Sequence, residues 1–284
     1  MSGDPVFNAP DVRALVERAL AEDVGAGDRT SEALVPADAR ARGRLLAKQR
    51  LVVCGLPLFV QVFDVVGGVD VTLLAADGAR VEPGTVVATL EGDARGLLKG
   101  ERLALNFVQH LSGIATVTRA CVDRVAGTKL VVRDTRKTVP GLRLLAKYAV
   151  RAGGGTNHRI GLDDAILIKD NHLTLAGGDL AGAVRAARAK WPTLPLEIEC
   201  RTLAELDAAI PAKPDLILLD NMSVADIAVA VRLTSGRVPL EASGGIVPDD
   251  LPAVAATGVD YVAMGALTHS APAADLSLKL EPLG

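Results

Sequence analysis

Basic side chains are concentrated in one stretch of the chain, residues 133–172. That stretch holds eight Lys or Arg against four Asp or Glu, whereas the whole chain of 284 residues has a formal net charge of −3. Arg binds carboxylate or phosphate through a planar fork, and Lys acts as a compact charge. The mixture predicts a pocket for a small substrate with several acidic groups, and a solvated basic rim is the alternative. The candidate cations are Arg136, Lys137, His158, Arg159 and Lys169.

Two carboxylates end apolar runs and could bind a metal ion. Glu199 closes LEIE, and Asp220 closes LILLD. Because Mg²⁺ is commonly held by one or two carboxylates together with substrate phosphates, these residues could anchor a metal–diphosphate unit or face positive charge on a sugar. An ion pair with a neighbouring Lys or Arg explains either residue equally well. Glu197 points to the same side as Glu199, because alternate residues of a strand share a face.

Small residues end two further runs, EASGGI (241–246) and VAMGA (262–266). Backbone N–H groups in such turns can cradle a phosphate, as they commonly do after the last strands of βα barrels. Tight packing of strand against helix is the alternative for these glycines. A third run, residues 153–155, places Asn157, His158 and Arg159 directly after three glycines, which favours close contact of this loop with a ligand.

The elements that carry these residues form a repeating pattern after residue 130. Helical segments separate the runs, and the last four runs begin roughly 20 to 23 residues apart. This rhythm predicts a parallel sheet or barrel, with the ligand site at the carboxyl ends of the strands. Predicted helix boundaries support this pattern. Thr202 with Glu205 and Ser223 would begin two helices, and Gly153 would end another. The six apolar runs are LVVRDT, AILIKD, LEIEC, LILLD, PLEASG and YVAMG.

The first part of the chain follows a different pattern. Apolar residues recur at helical spacing from Asp11 to Asp23, and a second helical region covers about 96–125. Between them, residues 42–92 contain strand-like runs separated by Gly and Pro, which predicts an antiparallel sheet. The whole chain is therefore predicted to be α/β, with a second, different sheet ahead of the parallel one.

Composition excludes several classes of protein. A pI near 5.9 without a basic tail argues against binding nucleic acid, and no apolar run reaches membrane-spanning length. The chain is expected to be cytoplasmic, because it shows no export signal and its three cysteines are an odd number without metal-ligand spacing. No GxGxxG motif follows an early strand, which disfavours a dinucleotide-binding domain.

Taken together, the motifs resemble those of the quinolinate phosphoribosyltransferase family over nearly the whole chain. The resemblance implies an N-terminal α/β sandwich domain at residues 1–115 and an open, incomplete α/β barrel at 116–269. The tail 270–284 would pack back on the first domain. The motifs that carry the resemblance are LAEDVGAGDRTSEAL, ERLALNFVQHLSGIAT, DTRKTVPGLRLLAKYAV, GGGTNHRIGL, AILIKDNH, EIEC, LLDNM and EASGGI.

The resemblance also implies a reaction and its residues. Quinolinate and phosphoribosyl pyrophosphate would give nicotinate mononucleotide, diphosphate and CO₂, with Mg²⁺ required. Lys137, Lys169, Glu199 and Asp220 would be catalytic, and the two carboxylates would face the metal-bound diphosphate directly or through water. The implied substrate-binding residues are Arg102, Thr135, Arg136, Lys137, His158, Arg159, Lys169, Glu199, Asp220, Ser243, Gly244, Gly245, Met264 and Gly265.

Members of this family are typically homodimers, in which Arg102 would act in the partner's site. Asp170 stands where many members have Glu, a conservative difference. Two alternatives are a related enzyme of molybdate-transport operons with a different base, and a phosphate-binding regulatory barrel without catalysis. The intact TRK, NHR and IKDNH motifs favour quinolinate, and Glu199 with Asp220 favours catalysis.

Overall fold

The structure is a computed structural model that describes residues 4–283. The chain divides into two compact units. The first comprises the described parts of Met1–Val117 and Ala271–Gly284, together with Leu144–Gly154. The second comprises Thr118–Arg143 and Gly155–Ser270. Each unit is built on its own sheet.

Eleven α-helices and twelve strands are described within residues 4–283. The earlier ones are α1 (Pro10–Val24), α2 (Arg29–Leu34), β1 (Arg40–Ala47), β2 (Leu51–Val52), α3 (Leu56–Val66), β3 (Val69–Leu73), β4 (Arg80–Val81), β5 (Val86–Asp93) and α4 (Ala94–Arg124). The later ones are β6 (Val131–Arg133), α5 (Arg143–Ala152), β7 (Ile166–Ile168), α6 (Asp170–Leu175), α7 (Leu180–Lys190), β8 (Leu196–Cys200), α8 (Leu203–Ala209), β9 (Leu216–Asp220), α9 (Val224–Thr234), β10 (Leu240–Ser243), α10 (Leu251–Ala256), β11 (Tyr261–Ala263), α11 (Ala266–His269) and β12 (Leu276–Pro282).

The first unit contains a four-stranded antiparallel sheet in the order β12-β1-β5-β3. Along β1 every second residue is buried, as expected of a strand with one face on a core. The predicted antiparallel sheet is confirmed, and so are the two predicted helices, which correspond to α1 and α4. Strands β2 and β4 form a separate pair.

Helix α3 was not predicted, although it lies inside the stretch whose pattern indicated strands. Its buried residues recur at helical spacing, but the half-buried positions Val60, Val65 and Val66 are apolar as well, so the sequence reads as a short apolar run, which is ambiguous between strand and helix. At the start of α3, the backbone N–H groups of Gly55 and Leu56 donate hydrogen bonds to the carboxylate of Asp77. The buried residues of α3 are Leu56, Leu58, Phe59, Val62 and Phe63.

The second unit contains a six-stranded parallel sheet in the order β6-β11-β10-β9-β8-β7. All six predicted apolar runs are strands of this sheet. Strands β6 and β7 stand at its two ends, and a single parallel bridge joins Arg133 of β6 to Thr156. The pairings therefore leave the sheet open, as in an incomplete α/β barrel.

Side-chain hydrogen bonds cap the first turns of the helices that follow β8 and β9. The hydroxyl of Thr202 accepts from the Glu205 N–H at the start of α8, and Ser223 does the same for α9. The return bond of the predicted capping box is displaced by one residue, because the Glu205 carboxylate accepts from Arg201 N–H. Gly153 follows the end of α5, as predicted, and its N–H donates to the Ala149 carbonyl.

Two further expectations concern cysteines and membrane segments. All three cysteines are buried and free, as predicted from their number and spacing. Among residues 4–283 no helix combines the length and the apolar character that crossing a bilayer requires.

Candidate active site

The carboxyl ends of the parallel strands surround a cavity of about 180 Å³ in the second unit. Nine of the residues predicted to form the site line it, so strand ends that are distant in sequence are brought together. Three buried apolar residues, Leu167, Leu218 and Ala263, complete the wall. The nine are Thr135, Arg136, Lys137, His158, Arg159, Lys169, Glu199, Asp220 and Ser243.

The two carboxylates of the cavity are paired with cations. Lys169 Nζ forms a hydrogen-bonded ion pair with Glu199 Oε2. Arg201 contacts Asp170 at 2.7 Å and lies 3.9 Å from Glu199 Oε1 and 3.7 Å from Asp220 Oδ2. The ion-pair alternative raised by the sequence is thus present in the structure. Arg201 was not predicted, although its position one residue after β8 would place it at the same strand end.

The oxygen donors of this cavity suit Mg²⁺. Glu199 and Asp220 are hard carboxylate ligands, and no thiol or imidazole is needed beside them. Their two cationic partners would be drawn to the phosphates that accompany such an ion, because phosphate binds Lys and Arg strongly. Within the described residues the closest group of three ligand-type side chains is a different one, formed by His158, Glu197 and Glu241.

Arg143 holds the loop that carries Arg136 and Lys137. Its guanidinium donates to Thr138 Oγ1 at 3.2 Å and to the carbonyl oxygens of Ile160 and Arg136. Arg136 Nε is buried and has no hydrogen-bond partner among residues 4–283, so it is a donor that a bound anion could engage. Arg143 was also missed from sequence, since a Lys or Arg at a helix start carries no local signal of such a role.

Asp134 supports the second cationic loop from inside the unit. Its buried carboxylate accepts from the His158 backbone N–H at 2.9 Å and from Asn157 Nδ2 at 2.6 Å. Arg159 Nη1 donates to the Ala165 carbonyl at 3.0 Å. Burial and the nearby charge of Arg136 lower the pKa of Arg159. Two like charges held this close indicate a pocket shaped for an anion.

The imidazole of His158 lies between two buried carboxylates. Its Nε2 is 2.9 Å from Glu197 Oε2 and 3.1 Å from Glu241 Oε2, and its Nδ1 accepts from the Arg159 N–H at 2.8 Å. Burial lowers the pKa of His158, whereas hydrogen bonds and negative charge from Glu197 and Glu241 raise it. Because Nδ1 accepts the Arg159 N–H, it carries no proton, and the ring in this arrangement is the neutral tautomer with its proton on Nε2.

The predicted phosphate cradle is only partly in the cavity wall. Ser243 lines the cavity, whereas the wall as described does not include Gly244, Gly245, Met264 or Gly265. Gly244 has φ +98° and a Cβ there would lie 2.8 Å from Asn221 N and closer still to Asn221 Oδ1, so only glycine fits. The Met264 side chain is buried, and its N–H donates to the Arg133 carbonyl.

Arg102 lies on α4 in the first unit, where it is exposed. The nine cavity residues all belong to the second unit. The predicted role of Arg102 therefore stays a prediction about an assembled protein.

Models of two protein domains match this chain. The quinolinate phosphoribosyl transferase N-terminal domain matches residues 28–112, and the C-terminal domain matches residues 114–279. The chain belongs to the quinolinate phosphoribosyl transferase family. The open parallel sheet with cationic side chains at its carboxyl ends agrees with this membership.

Individual relatives agree with the family over almost their full length. The chain is 48% identical to nicotinate-nucleotide pyrophosphorylase [carboxylating] of Mycobacterium leprae, over 99% of this chain and 100% of the relative. It is 40% identical to a probable enzyme of the same name in Bacillus subtilis, over 96% of this chain and 94% of the relative.

Solved structures of nicotinate-nucleotide pyrophosphorylases have the same fold. The structure from Francisella tularensis superposes with a TM-score of 0.91 at 40% identity, covering 98% of this chain and 99% of that one. The structure from Ehrlichia chaffeensis gives 0.90 at 37% identity, covering 94% and 98%. The predicted fold class is thereby confirmed.

Proposed function

We propose that this chain transfers the phosphoribosyl group of phosphoribosyl pyrophosphate to quinolinate, with loss of CO₂, to give nicotinate mononucleotide for NAD biosynthesis. The observation that carries the proposal is the cavity itself. It unites four cationic side chains and His158 with two carboxylates at the strand ends of an open barrel. A dicarboxylate and a multiply charged phosphate ester are substrates that such a set of charges can bind together.

The two substrates would divide the cavity between them. Arg136, Arg159 and Lys169 would bind the carboxylates of quinolinate, with the buried Nε of Arg136 as one donor. His158, whose ring nitrogens already have partners, would line the same end of the cavity. The 5′-phosphate would sit on the backbone N–H groups after β10 and β11. Ser243, Gly244, Gly245, Met264 and Gly265 are the residues proposed there, with Thr135 and Lys137 nearby.

The chemistry needs stabilisation of charge rather than a protein nucleophile. As the pyridine nitrogen attacks C1 of the ribose, the sugar gains positive charge that Glu199 and Asp220 can face, while the cations hold the departing diphosphate. After transfer the positive charge on the pyridine nitrogen stabilises the carbanion that remains at C2 when the C2–carboxylate bond breaks and CO₂ leaves, and a proton from water then takes the place of the carboxylate. Lys137 or Lys169 would support that step. Bound Mg²⁺, held by Glu199 and Asp220 directly or through water, would neutralise diphosphate charge.

We also propose that the active protein is a homodimer, in which Arg102 of one chain reaches the other chain's cavity. Support comes from its exposure on α4 and from its distance in sequence to the cavity residues. The domains proposed are residues 1–115 with the tail 270–284, and residues 116–269. Three free cysteines favour a reducing, cytoplasmic location.

The test is an incubation of the purified protein with quinolinate, phosphoribosyl pyrophosphate and Mg²⁺, with nicotinate as a parallel substrate. Nicotinate mononucleotide and CO₂ in equal amounts from quinolinate alone are expected. Bound phosphoribosyl pyrophosphate without turnover of either base would point to the related enzyme with another base. Absence of binding would contradict the anion-pocket assignment.

A further inference from the structure

A charged cluster lies beneath the cavity, on the inner face of the parallel sheet. Each of three charged residues comes two positions before a residue of the cavity wall: Arg133 before Thr135, Glu197 before Glu199, and Glu241 before Ser243. Residues two apart on a strand share a face. The inner layer of a βα barrel is usually filled by Val, Ile and Leu, so charge at this depth needs a cause other than packing.

The cluster is closely packed and well removed from water. The side chains of His158, Glu197 and Glu241 are 10%, 7% and 0% exposed. Arg133 Nη1 lies 3.2 Å from Glu241 Oε1, and its guanidinium stacks 4.1 Å from the centre of the Tyr261 ring. Two buried carboxylates are strongly destabilising unless cations and hydrogen bonds compensate them, and Arg133 with His158 supplies part of that compensation. Arg133 Nε, Glu197 Oε1 and Glu241 Oε2 are buried without a hydrogen-bond partner among residues 4–283, so Glu241 Oε2 acts on the ring through its charge.

His158 connects this cluster to the cavity above it. The residue lines both the cavity at the strand ends and a second cavity of about 370 Å³ that also includes Arg133 and Glu197. On the lower side Nε2 meets the two carboxylates, and on the other side Nδ1 accepts from the Arg159 N–H. The orientation of the ring is therefore set from both edges, and the Arg159 backbone is tied to it.

We propose that Glu197 and Glu241 are positioning residues for the quinolinate end of the cavity. From inside the barrel they fix the imidazole of His158, and the ring in turn fixes the backbone of Arg159, whose guanidinium lies in the cavity wall. The expected effect on quinolinate kinetics rests on the proposed function. The contacts of His158 with the two carboxylates and with the Arg159 N–H are features of the structure and do not depend on it.

His158, Glu197 and Glu241 are residue types that can bind a metal ion, but their surroundings favour the positioning role. Arg133 already neutralises Glu241 at 3.2 Å, and a cation beside that guanidinium would be repelled. Nε2 would also have to release its proton to bind a metal, which the two carboxylates oppose.

The decisive variants are Glu197→Met, which removes the nearer acceptor at similar volume, and Glu197→Gln, which keeps an acceptor oxygen. For E197M we expect the KM for quinolinate to rise about tenfold, with kcat and the KM for phosphoribosyl pyrophosphate changing less than about threefold. E197Q should restore the quinolinate KM to within about threefold of wild type. A merely structural role would lower the active fraction, and so kcat, without this split.

Asp77→Asn is the matched control, because Asp77 is a buried carboxylate that accepts three hydrogen bonds in the first unit, outside the cavity. It should lower thermal stability without moving either KM. Equal effects of D77N and E197M on all constants, or a quinolinate KM unchanged in E197M, would overturn the proposal.

Histidine NMR gives a readout that does not depend on turnover. The chain has four histidines, so ¹⁵N-histidine labelling with His158→Asn for assignment is practicable. We expect a downfield, exchange-protected Nε2–H signal from His158 that is retained in D77N and E197Q and lost or shifted upfield in E197M. A wild-type spectrum without such a signal would overturn the cluster even if the enzyme is active. An inactive wild type with the signal present would instead contradict the proposed function alone.

Discussion

Glu199 and Asp220 have cationic partners in the structure and a different, substrate-facing role in the proposed reaction. In the structure their negative charges are met by Lys169 and Arg201. Two carboxylates that line one cavity would otherwise repel each other. In the proposed reaction a diphosphate would give the two cations a competing partner of higher charge, and the carboxylates would become available to the sugar and to a metal ion.

At this scale we expect Glu199→Gln and Asp220→Asn to lower kcat by about 100-fold or more, because each removes a charge that acts mainly in the transition state. Binding of phosphoribosyl pyrophosphate without metal should persist. Steady-state kinetics and calorimetry measure the two effects. Asp249→Asn removes an exposed carboxylate that pairs with Arg124 and should leave kcat unchanged. Full activity of both site variants would favour the regulatory barrel.

The sequence predicted the place of residues whose type is unusual at a strand end, such as Lys169, Glu199 and Asp220, which line the cavity, while their roles stay predictions. It missed residues whose role depends on a distant partner. Arg143 and Arg201 look like ordinary surface cations until the fold brings carbonyls or carboxylates to them. Glu241 was visible only as the first letter of a glycine-rich motif, because pairing with Arg133 across the sheet has no local signature.

At the scale of elements, the parallel strands were predictable because each is a short apolar run with a polar end. Helix α3 was not, since apolar residues also occupy its half-buried side and hide the period of its buried face in the sequence. The glycines after β10 illustrate a third case. Their sequence indicated a ligand cradle, whereas the structure also shows a steric need at Gly244, which faces Asn221.

For this turn we expect Gly244→Ala to raise the KM for phosphoribosyl pyrophosphate about tenfold and to destabilise the protein by about 1–3 kcal/mol. The new Cβ would displace Asn221, whose N–H donates to the Ser243 carbonyl and whose side chain donates to Asp220. Kinetics and thermal unfolding measure the change.

Gly236→Ala is the control for that experiment. Gly236 has φ +72° with no atom within 4 Å of an added Cβ, so it carries the backbone strain without the contact. It should lower stability somewhat and leave the KM unchanged. Equal kinetic effects of the two alanines would contradict the role given to the Gly244–Asn221 contact.

At the scale of the whole molecule, the cavity is lined by residues of the second unit, whereas one predicted substrate-binding residue, Arg102, belongs to the first. In the proposed homodimer, each chain would contribute its Arg102 to the cavity of the other chain. Each site would then need residues from two chains, which a closed two-fold assembly permits.

The corresponding prediction is subunit complementation. Arg102→Ala and Glu199→Gln should each be nearly inactive, and differently tagged chains co-expressed in equal amounts should recover about a quarter of wild-type activity. The reason is that half the dimers are mixed and one of their two sites is then intact. Assays of the unfractionated mixture measure it, and heterodimers purified through both tags should have about half of wild-type activity. Activity no higher than that of the parents would show that Arg102 acts within its own chain or not at all.

Strand β12 follows the entire second unit in sequence, yet it pairs along the full length of β1, with Ala41 opposite Pro282. On the ribosome, β1 therefore emerges long before its neighbour and must wait, with one hydrogen-bonding edge open, until the whole parallel sheet has been made. The first unit cannot complete its fold before the second has been synthesised. The sheet of the first unit is thus completed last although its first strands are made first, and the open edge of β1 is the place where a nascent chain would be most prone to wrong pairing.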